Sequence, residues 1–154
     1  MPSLRETRES YNADLFQTET RKLMIPAADV ACVNGHNSLE HALLILTQSG
    51  YTAIPVLDRA GAVKGIINST LIIKAILGIS GYEIERLSEQ KVEQVMSVDV
   101  PKVKESQLFL RPFELSITWP FLCVEDDAGK FVGILTRRTI LAQLYQYFRR
   151  HRDE

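Results

Sequence analysis

Cysteine is scarce in this sequence: Cys32 and Cys123 are the two in 154 residues, far apart and outside any C-x-x-C spacing. A disulfide framework and a cysteine zinc site are thereby excluded. Each thiol sits in an apolar run and is expected to be buried in a reducing compartment. An excess of one charge is missing too. Lys plus Arg number 18 and Asp plus Glu 19, a net charge of −1. No global field therefore draws in nucleic acid or an anionic membrane, and any anion site must be local. No apolar run approaches the ~20 residues of a membrane span; the longest lies near 71–77. The opening Met-Pro-Ser-Leu-Arg-Glu lacks the apolar core of a signal peptide. A cytoplasmic protein with no nucleic-acid and no membrane partner is expected. His36, His41 and His151 have no metal-ligand spacing, and G-x-S-x-G, P-loop and paired-carboxylate signatures are absent. Neither a metal nor catalysis is expected, and no spacing supports a Cys–His dyad.

What is present is an ordinary globular composition, 45% hydrophobic and 24% charged, enough for one compact unit or two small repeats sharing a core. Ser3 with Glu6 has capping-box spacing, and Leu4, Tyr11 and Leu15 share a helical face. An amphipathic helix over 1–20 is predicted. Residues 30–33 read as a strand. Asn37 followed by Glu40 starts a helix through Leu39, Ala42, Leu43 and Leu46, which Gly50 stops. A strand over 53–57, a turn at 58–61 and a return strand over 63–67 form a hairpin. Asn68 or Ser69 then caps a helix carrying Leu71, Ile72, Ala75 and Ile76.

The same order returns. After 92–96 and 100–103 come a helical stretch near 108–117, a strand at 121–124, a turn at 126–129 and a strand at 131–135. Thr136 opens a last helix with Ile140, Leu141, Leu144, Tyr147 and Phe148 on its apolar side. Met24 matches Met96, Val33 matches Val103, Asp58 matches Asp126, Gly61 matches Gly129 and Gly65 matches Gly133. The second copy is shorter, and Pro112 within its first helix agrees with a shortened or kinked element. The predicted organisation is an amino-terminal helix at 1–20, repeats at 21–80 and 91–148, a linker at 81–90 with a short helix over 82–87, and a basic tail at 149–154. The fold class is α/β: two β-α-β-β-α units with pseudo-two-fold symmetry. One such unit cannot cover both faces of its sheet, whereas two facing units can.

Val95-Met96, Ile54-Pro55-Val56-Leu57-Asp58 and Gly133-Ile134-Leu135-Thr136, in this order and repeated, resemble the CBS repeat. A pair of these is called a Bateman module, and the resemblance covers about residues 20–148. The stretches E-H-A-L-L from Glu40, G-Y-T-A-I-P-V-L-D from Gly50 and Thr136-Arg137-Arg138 are similar to the small stand-alone cyclic-di-AMP-binding CBS proteins of Firmicutes. Those carry no attached enzyme or transporter domain, and none is expected here. The resemblance implies a cleft shared by the two repeats, in which Ala31, Val33, Tyr51, Thr52 and Ala53 meet Thr136, Arg137 and Arg138. Asp29 and Pro55 stand at the margin of that set.

Read as residues, Arg137 and Arg138 occupy the first turn of a helix, where two cations are unfavourable until an anion arrives. Free amides, the dipole and guanidinium forks all suit a phosphate; the other reading points both side chains into water. Tyr51 is either a stacking surface for a purine or a plug under the sheet, and Thr52 offers a hydroxyl to phosphate or ribose. Ala31 and Val33 leave main-chain groups for adenine or belong to an ordinary core strand. Asp29 repels phosphate, so a base or ribose contact is its remaining role. Trp119 beside Pro120 reads as core or dimer interface before it reads as a stacking surface. The run Arg149-Arg150-His151-Arg152 is a solvated tail or a docking patch.

AMP- and ATP-binding CBS repeats end in T/S-x-x-D, whose Asp holds ribose hydroxyls. Leu71 and Thr139 stand at those positions here, which weighs against AMP or ATP sensing and for a ligand held by its phosphates. Asn68-Ser69-Thr70 has no arginine pair, so one competent cleft per chain is expected. The resemblance implies no cofactor, cyclic di-AMP as ligand, a homodimer and a stringent-response or metabolic enzyme as partner. An AMP/ATP sensor and a ligand-free scaffold are the alternatives.

Overall fold

The computed structural model describes residues 14–152. The predicted capping box at Ser3 and Glu6, with Leu4 and Tyr11, lies outside them, as do residues 153–154 of the tail. The chain divides into two compact units. An amino-repeat unit comprises 27–100 with 129–131. A carboxyl-repeat unit comprises the described residues up to Pro26, together with 101–128 and the residues from Val132 on.

In the amino-repeat unit, β2 (Val33–Asn34) runs parallel to β3 (Ala53–Leu57), and β3 pairs antiparallel with β4 (Val63–Asn68). Residues 30–33 were expected as the strand, but the chain first makes a 3-10 turn at Ala27–Asp29, and the ladder begins at Val33. Helix α1 (Leu39–Ser49) crosses from β2 to β3 and buries Leu39, Ala42 and Leu46. Each buried leucine contributes roughly 1.5–3 kcal/mol. Its cap is Ser38, whose Oγ accepts from His41 N at 3.2 Å, rather than Asn37. The Asn37 side chain is engaged one turn earlier, accepting from Asn34 N at 2.9 Å. Gly50 ends α1 at φ 74°, a left-handed C-cap. Asn68 Oδ1 accepts from Leu71 N at 2.8 Å and so caps α2 (Ser69–Ile76). The linker differs from expectation. Instead of a helix over 82–87, Leu77–Gly78 (β5) pairs with Gly81–Tyr82 (β6), and the short helix α3 follows at Arg86–Glu89.

In the carboxyl-repeat unit, β7 (Lys102–Lys104) runs parallel to β8 (Phe121–Glu125), with Val103 opposite Val124 as Val33 is opposite Val56. The sheet continues through β9 (Phe131–Thr136) to β1 (Ile25–Pro26). Helix α4 (Leu110–Ser116) has 7 residues against 11 in α1. Pro112 is tolerated because it falls in the first turn, where no intrahelical donor is required. Helix α5 (Arg137–Arg150) buries Ile140. Leu144 and Tyr147 are half-buried, but Leu141 and Phe148, expected on the apolar side, are exposed.

The units trade their leading segments. Residues ahead of the first repeat serve the carboxyl-repeat unit: Ile25 pairs with Ile134 and Pro26 with Gly133. Thr20, 1% exposed, donates to Gln107 O through both N–H (2.8 Å) and Oγ1 (2.7 Å). Leu15, Phe16, Leu23 and Met24 pack on the core of Val103, Phe109, Leu122, Val124, Leu135 and Ile140. Residues ahead of the second repeat serve the amino-repeat unit, where Ile66 and Ser97 exchange N–H···O bonds of 2.9 Å in both directions. Two glycines admit these incoming segments. A Cβ on Gly65 would lie 2.5 Å from Met96 Sδ and 2.7 Å from Ser97 O; one on Gly133 would collide with Ile25 O and lie 3.0 Å from Met24 Sδ. Pro26, which lacks an N–H, is placed at a sheet edge, where the ladder does not need one.

Candidate functional site

Thr136, Arg137 and Arg138 come together where β9 turns into α5. Thr136 is the N-cap: its Oγ1 accepts from Thr139 N at 3.1 Å and contacts Thr139 Oγ1 at 3.0 Å. The expectation of free amides here is corrected. Arg137 N donates to Pro120 O at 2.9 Å and Thr139 N is taken by the cap, so two first-turn donors are occupied. The positive character of the turn rests more on guanidinium groups and the dipole. Arg137 is itself fixed, with Nε donating to Ser116 O at 2.7 Å at the end of α4. Arg138 is exposed and makes no ion pair among the described residues. One arginine is held by the protein and its neighbour is open to solvent.

The remaining candidates lie in the amino-repeat unit. Tyr51 and Thr52 are exposed between α1 and β3, and Tyr51 N donates to Ser49 Oγ at 3.3 Å. Ala53 is half-buried and faces Asn68, which sets the entry to β3 beside the β4–α2 junction. Val33 is brought elsewhere. It is 3% exposed, pairs with Val56 and belongs to the core. Ala31 precedes the ladder and packs half-buried on that core. Pro55 is buried in β3 opposite Ile66, and Asp29 is exposed in its 3-10 turn. Trp119 packs half-buried against the carboxyl-repeat core. Arg149 and Arg150 are exposed in the last turn of α5.

The two junctions are counterparts: Asn68 and Thr136 each end a hairpin strand, cap a helix and bond to the amide three residues on. Residues 21–78 and 92–146 both match the CBS domain. The chain belongs to the CBS domain family. Cyclic di-AMP receptor B of Bacillus subtilis is 41% identical over 135 residues, 88% of this chain and 92% of that protein. A CBS domain-containing protein of unknown function from Bacillus anthracis has a crystal structure matching with a TM-score of 0.81 at 45% identity, covering 88% of this chain and 98% of that one. The CbpB protein of Listeria monocytogenes, crystallised in complex with c-di-AMP, matches with a TM-score of 0.78 at 44% identity over 86% and 98%.

Within this CBS pair, the residue that sequence reasoning missed is Ser116. It is 5% exposed, its Oγ donates to Phe113 O at 2.6 Å and its carbonyl takes the Arg137 Nε–H. No sequence signal marks it, because a main-chain carbonyl at a helix end belongs to every residue type. Leu71 and Thr139 stand three residues after the capping Asn68 and Thr136. Leu71 contributes its N–H to the Asn68 cap, and Thr139 has its hydroxyl turned to Thr136. Burial pushes up the Cys32 thiol, which suits a protonated side chain packed beside the strand. No described helix is long and apolar enough to cross a membrane.

Proposed function

We propose that this protein is a cytoplasmic, non-catalytic receptor for cyclic di-AMP, and that occupancy controls its association with a partner protein. The observation that carries this reading is Thr136-Arg137-Arg138 at a capped helix start, in a chain 41% identical to cyclic di-AMP receptor B and 44% identical to CbpB crystallised with c-di-AMP. In this reading Arg137 and Arg138 take the phosphates through charged hydrogen bonds. Tyr51 stacks on a base, Thr52 and Thr136 offer hydroxyls, and main-chain groups at Ala31, Val33 and Ala53 read the adenine edge, with Asp29 and Pro55 at the margin. Leu71 and Thr139 lack the carboxylate that would hold ribose hydroxyls, which favours this ligand over AMP or ATP.

The receptor acts as a homodimer in this reading. Leu141, Tyr145 and Phe148 are exposed at i, i+4 and i+7 on α5, an apolar stripe suited to a second copy. Its partner is a stringent-response or metabolic enzyme.

A nucleotide melting panel tests the assignment. A ligand that binds only the folded state stabilises it by about 2.7 kcal/mol at a hundredfold excess over Kd. Cyclic di-AMP should raise the melting temperature, with AMP and ATP leaving it near the apo value. A shift with AMP or ATP but none with cyclic di-AMP would reverse the assignment. No shift with any nucleotide, together with a stable partner complex, would point to a ligand-free scaffold.

A further inference from the structure

The segment from Leu77 to Glu89 is unused by the nucleotide reading, yet it presents an unusual surface. Ile79 at the tip of the β5–β6 hairpin is 107% exposed, and Leu77, Tyr82 and Ile84 are each more than half exposed. Four large apolar side chains within eight residues are thus turned to water in one element. Clustered exposure of this kind marks an interaction surface, whereas singly scattered residues do not.

The element is anchored. Glu83 N donates to Ile76 O at 2.7 Å. The Glu83 carboxylate meets Arg86 Nε at 2.5 Å, and Arg86 Nη1 donates to Ala75 O at 3.1 Å. Leu87 packs on the amino-repeat core. The main chain of the segment is therefore held in advance, which lowers the entropy lost on binding. Beside α3 is a hollow of about 290 Å³ lined by Glu40, Ile84, Glu85, Leu87 and Ser88.

Carboxylates outnumber cations around this apolar group. Glu40, Glu85 and Glu89 are exposed and make no ion pair among the described residues. Of the nearby cations, Arg86 is held by Glu83 and Ala75, leaving Lys74 at the end of α2 and Lys91 after α3 against the three carboxylates. A second copy meeting this face across a two-fold axis would set like carboxylates against each other. An anionic lipid surface would be repelled in the same way.

We infer that the β5–β6 hairpin and α3 form a docking surface for a protein segment that presents apolar side chains within a rim of lysine or arginine. The apolar tip supplies the buried contact and the carboxylate rim supplies register and long-range attraction. The inference stands whether or not the chain binds a nucleotide.

The test uses the full chain and two labelled amphipathic helical peptides with one leucine face, flanked by lysines in one and by glutamates in the other. Fluorescence anisotropy should show binding of the lysine peptide, weakening as salt is raised, and none of the glutamate peptide. Ile79→Ser with Tyr82→Ser, and separately Glu85→Lys with Glu89→Lys, should each weaken the lysine peptide by about tenfold, as loss of central anchors or of the attracting rim does. Their melting temperatures should stay at the wild-type value, since all four positions are exposed. Absence of binding, or equal binding of both peptides, overturns the inference. So does a wild-type dimer that becomes monomeric in the serine variant, which would assign the face to a second copy, and so does capture by phosphatidylserine vesicles.

Discussion

Arg137 Nε donates to the main-chain carbonyl of Ser116 at 2.7 Å. One edge of a planar guanidinium is thereby fixed against the end of α4, where a cation also meets the negative pole of that helix. The other edge is aimed by the same bond. Arg138, one residue on, has no such tether.

The tether separates the two arginines experimentally. Arg138→Ala should lower cyclic-di-AMP affinity by about 1.5–3 kcal/mol, the range for a hydrogen bond to a charged group, and leave the melting temperature unchanged. Arg137→Ala should lower both. Arg137→Lys keeps the charge but lacks the fork that reaches Ser116 and a phosphate together, so it should behave nearly as Ala does. Titration calorimetry that finds wild-type affinity in all three would remove the arginines from the site.

Tyr51 is 37% exposed at the entry to β3, so truncation leaves little cavity. Tyr51→Ala should reduce ligand affinity by about 1–3 kcal/mol if a base stacks there, with stability nearly unchanged. A loss of stability at intact affinity would make Tyr51 a packing residue.

Gly65→Ala and Gly133→Ala should each destabilise by about 1–3 kcal/mol, the usual consequence of forcing a methyl into a filled space. Gly133→Ala should be the worse of the two. Its new Cβ meets the Ile25 main chain, whereas at Gly65 part of the obstruction is the flexible Met96 side chain. Denaturant unfolding gives the order; equal stability of both variants and wild type would mean that the incoming segments are not held as seen.

Burial pushes the Cys123 thiol from its ordinary 9.0 up to about 12, with Lys102 lowering it and Glu125 raising it to smaller extents. The unfolded chain therefore releases this proton well below the pH at which the folded chain does. The group's stabilisation is complete below pH 9.0 and is lost as pH climbs toward 12. The denaturation midpoint should fall over that interval, and Cys123→Ala should fall less steeply. Parallel slopes would contradict the burial.

Tyr145→Glu combined with Phe148→Glu should convert the proposed homodimer to a monomer in sedimentation, because two buried carboxylates would be left unpaired. Both side chains are more than half exposed in the single chain, so folding should persist. An unchanged sedimentation coefficient would place the dimer contact on another face.

Much of this fold is readable from local chemistry. The strand Ala53–Leu57, the cap at Asn68, the cap at Thr136 and the stop at Gly50 each follow from a few adjacent residues acting on their own backbone. The misreadings arise where a local signal meets a competing partner. Asn37 is as good a cap residue as Ser38, but its oxygen is spent on Asn34. Leu141 and Phe148 lie near the apolar side of α5 by period, yet both are exposed, since Ile140, Leu144 and Tyr147 are the positions that meet the core side. The linker predicts a short helix over 82–87, but Gly78 and Gly81 allow a tight pairing that absorbs Tyr82 into a strand.

The candidate site divides along the same line. The cluster Thr136-Arg137-Arg138 is contiguous, so order along the chain alone brings it together. That Arg137 is tied to Ser116, and that two amides of the turn are occupied, depends on residues up to 21 positions away.

Residue order by itself determined the duplicated α/β pattern, the helix caps and the place of the arginine pair, because each arises from interactions within a few residues. Only the tertiary structure decided that Met24 and Ile25 close over Gly133 while Met96 and Ser97 close over Gly65. Strand partners across such distances are chosen by which edges remain unpaired and which surfaces need covering, and those exist only once the chain has folded.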